Sequence, residues 1–319
     1  MGRCLGIDTS NYTTSAALYD DEKGNMLWSK KLLPVKEGEI GLRSSEVVFA
    51  HIKQAESIIR ETIGDNGGKI DAVAVSDRPR DAEGSYMPCF LVGRTIAGAI
   101  SAALGVPLFC FSHQAGHIAS ALYSSGRTDL IGKSFLSFHV SGGTTECLYV
   151  TPDEERIFNC EIIGRSLDLH IGQAVDRVGN MLNYPFPSGA YLEKAAEKAG
   201  ENIMLKADIS KAMKGNDCCI SGVENNCRRY LEEGKSEEEI AQYLFDYIYK
   251  VIDRMTQEAI KNYGDVEIVY AGGVMSNGII KRRLSEKYGC VFAAREYSSD
   301  NACGTALMGA VRYAKATGR

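Results

Sequence analysis

The chain has 319 residues, of which 45% are hydrophobic and 24% are charged, as expected of a globular protein with two domains of ordinary size. Its net charge of −5 argues against a protein that coats nucleic acid without specificity, although it is compatible with a local basic groove. No apolar run approaches the roughly 18 residues that span a bilayer, and Arg3 and Asp8 bring charge too early for a signal peptide. We therefore expect a cytoplasmic protein without membrane contact, whose ten cysteines are reduced thiols.

A polar turn joins two short apolar strands at the start of the chain. Strands are predicted at residues 3–7 and 15–19, and Asp8, Thr9 and Ser10 open the turn between them. The hydroxyl and backbone N–H groups of such a turn suit an anion or a metal-bound phosphate. The same residue types also form plain hairpin turns, so both interpretations stand.

Helices and strands then alternate up to a pair of histidines. The predicted elements are a strand at 26–33, a helix at 45–63, a strand at 70–75, a helix at 90–104 and a strand at 106–111. The last strand leads to His113 and His117, which lie on the same side of a helix because 3.6 residues make one turn. Two imidazoles so placed can bind one metal ion, although solvated helix faces show the same spacing.

A second copy of the opening pattern begins near residue 135. Strands predicted at 135–140 and 146–150 flank a turn in which Gly142 and Gly143 are consecutive. Glycines let the backbone approach a ligand closely, and the flanking Ser141 and Thr144 supply hydroxyls, so the turn resembles a phosphate cradle. Repetition of strand, turn and strand about 130 residues downstream indicates an internal duplication.

The second half continues with the same alternation of elements. The predicted elements are a strand at 157–163, helices at 167–182 and 191–199, a surface insertion at 201–217, a helix at 237–262, strands at 266–271 and 291–294 with a helix between them, and a helix at 305–313. Gly272 and Gly273, at a strand's carboxyl end, allow a ring or a ribose to lie against the backbone. Asp300 precedes the terminal helix, where a plain helix cap would explain it.

This order of elements, present once in each half, is that of the actin, hexokinase and Hsp70 class of nucleotide-binding proteins. The predicted fold is therefore α/β and two-lobed, with duplicated RNase H-like halves. We expect one lobe at residues 1–133 and another at 134–319, with the terminal helix packing back towards the first lobe.

Short motifs in one order along nearly the whole chain resemble a known family. They are residues 6–10, His113 with His117, residues 140–145, 164–176 and 271–277, and Asp300 with Asn301. The resemblance is to the tRNA threonylcarbamoyltransferases, formerly described as glycoproteases, which modify the adenosine next to the anticodon. It implies a transferase that uses threonylcarbamoyl-adenylate as the donor.

The resemblance also implies cofactors, site residues and partners. One divalent ion, iron or zinc, is expected on His113, His117 and Asp300, which would act in catalysis through it. An adenine nucleotide (ATP, AMP or threonylcarbamoyl-adenylate) is expected to contact Asp8, Thr9, Ser10, Ser141, Gly142, Gly143, Thr144, Asp176, Gly189, Glu193, Gly272, Gly273 and Asn277. The implied partners are tRNA, a paralogous actin-like protein and a small ATPase.

Three departures from the family pattern point to a divergent member. Residues 11–14 hold no acidic pair, residues 78–81 replace a Gly-Pro-Gly loop, and Thr144 stands where His or Asn is common. Transfer to tRNA therefore competes with two alternatives, a carbamoyl or acyl transferase with another acceptor and a nucleotide-binding scaffold without turnover.

The positions of basic residues would distinguish these hypotheses, and the absence of a glutamate after His113 bears on a further one, peptidase activity. A tRNA enzyme needs a basic groove beside the metal, and the candidates for it are Arg43, Lys53, Arg78 and Arg80. Peptidase activity ranks last, because no glutamate follows His113 to act as the base of a zinc peptidase.

Overall fold

A computed structural model describes residues 2–34, 42–64, 68–200 and 205–318. The chain divides into two compact units. The first unit comprises Met1–Lys133, Thr151–Cys160 and Glu296–Arg319, and the second comprises Ser134–Val150 and Glu161–Arg295. The carboxyl-terminal segment thus belongs to the same unit as the amino terminus.

One five-stranded sheet forms the centre of the first unit. Its strands are β1 (Arg3–Asp8), β2 (Thr13–Asp20), β3 (Asn25–Leu32), β4 (Ala72–Arg78) and β5 (Leu108–Ser112). Their spatial order is β3-β2-β1-β4-β5, with β1 antiparallel to β2 and parallel to β4. Because Ile7 pairs with Val75, the next residues, Asp8 and Ser76, come side by side at the carboxyl edge of the sheet.

The sheet of the second unit repeats this topology. Its strands are β6 (Phe135–Val140), β7 (Thr145–Asp153), β8 (Ile157–Arg165), β11 (Ile268–Ala271) and β12 (Val291–Phe292), and a separate hairpin holds β9 (Met213–Lys214) and β10 (Asp217–Cys218). The order β8-β7-β6-β11-β12 matches the first sheet strand for strand, with β6 in the position of β1, because β6 is antiparallel to β7 and parallel to β11. The predicted duplication is therefore confirmed in the described residues.

Helices cover the sheets in both units. Within the described residues they are α1 (Ser44–Ile63), α2 (Phe90–Leu104), α3 (His113–Ser124), α4 (Ile171–Met181), α5 (Gly189–Lys198), α6 (Ser221–Glu232), α7 (Glu237–Tyr263), α8 (Gly278–Tyr288) and α9 (Cys303–Ala316). The predicted apolar stripe of α7 is buried from Ile240 to Met255 and forms the core of the second unit. Within the described part of the chain, helices that combine the length and the apolar character needed to cross a bilayer are absent.

Two helices differ from the sequence prediction. Helix α6 was not predicted. Its buried residues are Val223 and Cys227, and two residues do not form an apolar stripe long enough to indicate a helix. Helix α4 begins at Ile171 rather than at residue 167. Asp168 Oδ1 instead accepts hydrogen bonds from the N–H groups of Leu169 and Ile220, both at 2.6 Å, which ties this segment to the start of α6. Of the predicted insertion at 201–217, residues 201–204 lie outside the described ranges.

Candidate functional site

The histidine pair stands at the start of α3, directly after β5. Ser112 caps the helix, because its hydroxyl oxygen accepts a hydrogen bond from Ala115 N (3.3 Å) and the hydroxyl donates one to Asp81 Oδ2 (2.7 Å). Since β5 continues straight into the helix, His113 and His117 lie at the carboxyl edge of the sheet. Their ring centroids are 4.3 Å apart.

Asp300 completes a three-residue cluster with the two histidines. Its Oδ1 lies 3.3 Å from His113 Nε2 and 3.2 Å from His117 Nε2. One ligand atom from each of the three side chains lies within 4.8 Å of the others. The alternative that Asp300 caps the terminal helix is wrong, because α9 begins at Cys303 with Ala302 in the cap position.

Asp8 supports the cluster from behind. It is fully buried, and its Oδ2 lies 2.8 Å from His113 Nδ1. Its other oxygen accepts a hydrogen bond from Ser10 N at 2.8 Å. A carboxylate that holds the Nδ1 proton of a histidine leaves the Nε2 lone pair for a metal ion and fixes the ring orientation.

The electrostatics of the cluster are dominated by the flanking carboxylates. Burial opposes a charge on His113, but Asp8 and Asp300 outweigh it and raise the pKa of this histidine to about 10. Burial likewise opposes the charged form of Asp300, yet hydrogen bonds from His113 and His117 hold its pKa well below the usual value. The two carboxylates thus favour positive charge at this cluster, whether it is carried by a proton on His113 or by a divalent cation.

The donor set fits a divalent ion. Two imidazoles and one carboxylate suit iron or zinc and leave coordination positions for a substrate. The carboxylate of Asp8 behind His113 is the kind of partner that metal-binding histidines have in proteins.

The raised pKa of His113 predicts how the stability of the metal-free protein depends on pH. A folded-state pKa above the unfolded value stabilises the protein fully below pH 6.5, and this contribution is lost as the pH rises towards about 10. We therefore expect the melting temperature of chelator-treated protein to fall across this window. His113→Ala should lose this part of the dependence, and identical profiles for the two proteins would contradict the assignment.

Thr9 and Ser10 have different surroundings, although both are fully buried. Thr9 Oγ1 donates to Cys89 O (2.9 Å) and accepts a hydrogen bond from Gly93 N (3.0 Å), so it anchors the start of α2. The hydroxyl of Ser10 has no hydrogen-bond partner among the described residues. A buried hydroxyl in this state can donate to a ligand.

In the second unit, the glycine turn projects from the carboxyl end of β6. Ser141 Oγ accepts hydrogen bonds from Gly143 N (3.3 Å) and Thr144 N (3.2 Å), which fixes the shape of the turn. A Cβ built on Gly142 or Gly143 would meet no atom within 4 Å, so the turn presents bare backbone to open space. Such a surface allows close approach of a phosphate.

Helix α4 abuts this turn through Gly172. Gly172 N donates to Ser141 O (3.1 Å), and Ile171 N donates to Thr145 Oγ1 (2.9 Å). A Cβ built on Gly172 would lie only 2.5 Å from Gly142 N. A residue with a side chain at this position would therefore displace the turn.

The remaining predicted nucleotide residues lie on α4, α5 and the segment before α8. Asp176 Oδ1 accepts a hydrogen bond from Ser188 N (2.9 Å), next to Gly189 at the start of α5. Glu193 Oε1 accepts one from Gly278 N (2.5 Å), and Asn277 Oδ1 caps α8 by accepting one from Ile280 N (3.0 Å). These contacts connect the three helices with one another.

Gly272 joins this group to the sheet. Its φ of +97° favours glycine, and a Cβ built there would collide with the carbonyl oxygen of Val140. Gly273, beside it, faces open space. The carboxyl ends of β6 and β11 therefore meet where the glycine turn begins, as expected for a nucleotide site on an α/β sheet.

The four predicted basic residues have different surroundings. The guanidinium of Arg78 contacts Asp77 and lies 2.6 Å from Asp81 Oδ1, so its charge is compensated within the loop. The ammonium of Lys53 lies 4.7 Å from the centroid of the Phe49 ring. Arg43 precedes α1 and Arg80 follows β4. A basic groove made from them stays a prediction.

Sequence reasoning missed two supports of the histidine cluster. Ser76, beside Asp8 at the carboxyl edge of the sheet, has its Oγ 2.9 Å from Thr305 Oγ1, and Ser120 Oγ donates to Asn301 Oδ1 at 2.9 Å. Helical spacing places Ser120 on the side of α3 that carries His113 and His117, so the pattern contained this signal.

Comparison with known proteins gives one family and several structural relatives. A family model described as tRNA N6-adenosine threonylcarbamoyltransferase matches residues 37–307. Full-length HypF in a phosphate- and nucleotide-bound form has a TM-score of 0.62 at 13% identity over 99% of this chain and 46% of HypF. Component A of (R)-2-hydroxyglutaryl-CoA dehydratase from Acidaminococcus fermentans has a TM-score of 0.55 at 17% identity over 99% of this chain and 100% of its own.

These structural likenesses concern the fold alone. HypF from T. kodakarensis has a TM-score of 0.57 at 15% identity over 99% of this chain and 48% of its own, so the chain spans about half the length of these HypF proteins. The predicted two-lobed α/β class is confirmed.

Proposed function

Because the chain belongs to the tRNA N6-adenosine threonylcarbamoyltransferase family, we propose that it transfers a threonylcarbamoyl group from threonylcarbamoyl-adenylate to the tRNA adenosine next to the anticodon. The observation that carries this proposal is the cluster of His113, His117 and Asp300, with Asp8 behind His113. These side chains, at the carboxyl edge of the sheet, offer a binding site for a divalent cation. A reaction at a phosphorylated carbonyl group is assisted by such a cation.

The residues of the cluster bind and orient in the proposed reaction. When bound, a divalent ion on His113, His117 and Asp300 would supply Lewis acidity to the reacting carbonyl group. Asp8 keeps the proton of His113 on Nδ1. The adenosine amine attacks the carbamoyl carbon and loses one proton, the bond from that carbon to the phosphate oxygen breaks, and AMP leaves with the electron pair of that bond.

We assign the adenine nucleotide to the second unit, at the carboxyl ends of β6 and β11. The glycine turn at Gly142 and Gly143 offers backbone to the phosphate. Asp176 and Glu193 offer carboxylate oxygens to ribose hydroxyl groups, each already oriented by a backbone N–H. Tight positioning of the donor converts the transfer into an effectively intramolecular step.

A direct assay tests the proposal. Purified protein is incubated with synthetic threonylcarbamoyl-adenylate, unmodified tRNA and the organism's paralogous actin-like protein and small ATPase, and digested tRNA is examined by mass spectrometry. We expect the modified nucleoside to form with wild-type protein and to be absent without metal. Metal-dependent binding of the adenylate without any modified tRNA would overturn the choice of acceptor.

A related transferase with another acceptor is the second candidate. The loop of residues 78–81 favours it, because Arg78 is bonded to Asp77 and Asp81 and its charge is therefore compensated before any tRNA phosphate arrives. In the same assay, consumption of the adenylate with free amines or proteins in place of tRNA would support this candidate.

An apolar groove between α1 and α2 is our proposed docking site for the paralogous partner. The cavity has a volume of about 850 Å³ and is lined mainly by aliphatic side chains. Ile52 and Leu91 on its walls are 56% and 52% exposed and lie in one continuous apolar surface, which is the kind of surface that partner proteins cover.

Ile52→Glu is expected to weaken binding of this partner by at least about tenfold, because it places a charge in the apolar centre of the contact. Leu104→Glu is the matched control, since Leu104 is 51% exposed on α2 but does not line the groove. Calorimetric titration measures both affinities. Equal affinities for the two variants would contradict the docking site.

A further inference from the structure

The carboxylate of Asp300 stands beside a buried asparagine that makes four hydrogen bonds. Asn301 is 3% exposed. Its Nδ2 donates to Tyr297 O (3.1 Å) and Ser299 O (2.6 Å), and its Oδ1 accepts from Ser120 Oγ (2.9 Å) and Cys303 N (3.0 Å). The amide group has two donor hydrogens and two acceptor lone pairs, so its capacity is filled.

Two of these hydrogen bonds fix the backbone segment that contains Asp300. Tyr297 O and Ser299 O belong to the segment that leads up to Asp300, and the amide draws both carbonyl oxygens towards one point. The third partner, Cys303 N, is the first residue of α9. Asn301 therefore sets the path of the backbone on both sides of Asp300.

The fourth bond connects this segment with the helix of the histidines. Ser120 is fully buried on α3, and its hydroxyl oxygen also accepts a hydrogen bond from Gly304 N at 2.9 Å. A Cβ built on Gly304 would collide with Gly116 O, so α3 and α9 touch through their backbones at this point. Ser120 follows His117 by three residues and shares its side of the helix.

The contacts of Asp300 with the histidines are weaker than those of Asn301. Its Oδ1 lies 3.2 and 3.3 Å from the two Nε2 atoms, beyond the usual distance for a charge-assisted hydrogen bond. Lys30 Nζ holds the outer side of the segment by donating to Ser299 Oγ (2.6 Å). Loss of Asn301 would therefore leave the segment attached through Lys30, and Asp300 would be held to α3 only by its own long contacts with the two histidines.

We propose that Asn301 is a positioning residue, which sets the Asp300 carboxylate against His113 and His117 through its bond to Ser120. The inference rests on the metal site of the proposed function. Residues that orient metal ligands typically change metal affinity by about 10–100-fold when they are removed. We assign Asn301 to this class.

The test measures the affinity for Co²⁺ alone, by competition with a chromophoric chelator, together with the visible spectrum of the bound ion. Asn301→Ala and Ser120→Ala are each expected to weaken binding by about 10–100-fold and to change the spectrum. Ser125→Ala is the matched control, because this hydroxyl, at the carboxyl-terminal cap of the same helix, donates to Ala121 O (2.7 Å) and not to the segment of Asp300. It should bind Co²⁺ as the wild type does.

A double-variant comparison separates positioning from a general effect on the fold. If Asn301 acts through Asp300, then Asn301→Ala should change Co²⁺ affinity less than about twofold in an Asp300→Ala background, where the two histidines alone bind the ion. Persistence of the full loss in that background would overturn the proposal, as would wild-type affinity in Asn301→Ala.

Two further outcomes are informative. Should Asn301→Ala fail to fold, Ser120→Ala carries the same comparison, because it removes the amide's link to α3, together with the bond from Gly304 N, and keeps the amide's other three bonds. A wild-type protein that binds no Co²⁺ would overturn the metal site itself, and with it the proposal for Asn301.

Discussion

Asp300→Asn is expected to lower the affinity for a divalent metal by at least about 100-fold and to abolish threonylcarbamoyl transfer. The substitution keeps the shape of the side chain but removes the negative charge that lies 3.3 Å from His113 Nε2 and 3.2 Å from His117 Nε2. Metal content after gel filtration and the transfer assay on tRNA measure the two effects. His113→Ala should give the same result.

Asp129→Asn is the matched control for this substitution. Asp129 lies in the same unit and pairs at the surface with Arg127 and Lys133. Exposed pairs of this kind contribute little, so metal content and transfer should not change. Retention of both metal and transfer by Asp300→Asn would contradict the assigned ligand.

Gly172→Ala is expected to weaken nucleotide binding by at least about tenfold and to leave metal affinity unchanged. The added Cβ would lie 2.5 Å from Gly142 N, a backbone atom that cannot move without displacing the glycine turn. Overpacking of this kind typically destabilises a protein by about 1–3 kcal/mol. Titration with a non-hydrolysable ATP analogue measures the affinity, and thermal melting measures the stability.

Gly222→Ala controls for the general effect of a helical glycine-to-alanine change. The nearest atom to a Cβ built there is Tyr247 Oη at 4.0 Å, so the new methyl group fits without displacement. Nucleotide affinity should stay at the wild-type value. If Gly172→Ala binds the analogue as tightly as Gly222→Ala, the glycine turn does not hold the phosphate.

The fold was predictable because its information is local and occurs twice. The opening pattern of strand, polar turn and strand lies within 20 residues in each half, and the two sheets share one strand order. Helix α6 was missed for the opposite reason. Its buried residues, Val223 and Cys227, are too few to mark a periodic apolar face.

The candidate site was predictable in part. Spacing on one helix predicted that His113 and His117 would face the same way, and the resemblance to the family added Asp300. The bond from Asp8 to His113 joins residues 105 positions apart, and the bond from Ser120 to Asn301 joins residues 181 positions apart. Pairings over such distances depend on tertiary packing, which periodicity does not report.

The hydroxyl groups of Thr9 and Ser10 also differ in a way that the sequence could not predict. The sequence placed Thr9 and Ser10 together at a ligand-binding turn, because both are polar turn formers. In the structure Thr9 Oγ1 bonds to Cys89 O and Gly93 N in the interior, whereas the hydroxyl of Ser10 is without a partner among the described residues. Residue type alone could not distinguish a buried hydroxyl that is hydrogen-bonded from one that is not.

Reconstitution of metal-stripped protein tests the central claim most directly. Wild-type chain is treated with a chelator, titrated with Fe²⁺ or Zn²⁺, and assayed at each step for bound metal and for modified adenosine in tRNA. The account predicts that transfer is lost on stripping and returns in proportion to the metal bound, reaching its maximum at one ion per chain. The account would be contradicted if the metal-stripped protein transferred at the full rate. It would also be contradicted if the Asp300→Asn variant still bound one metal ion per chain.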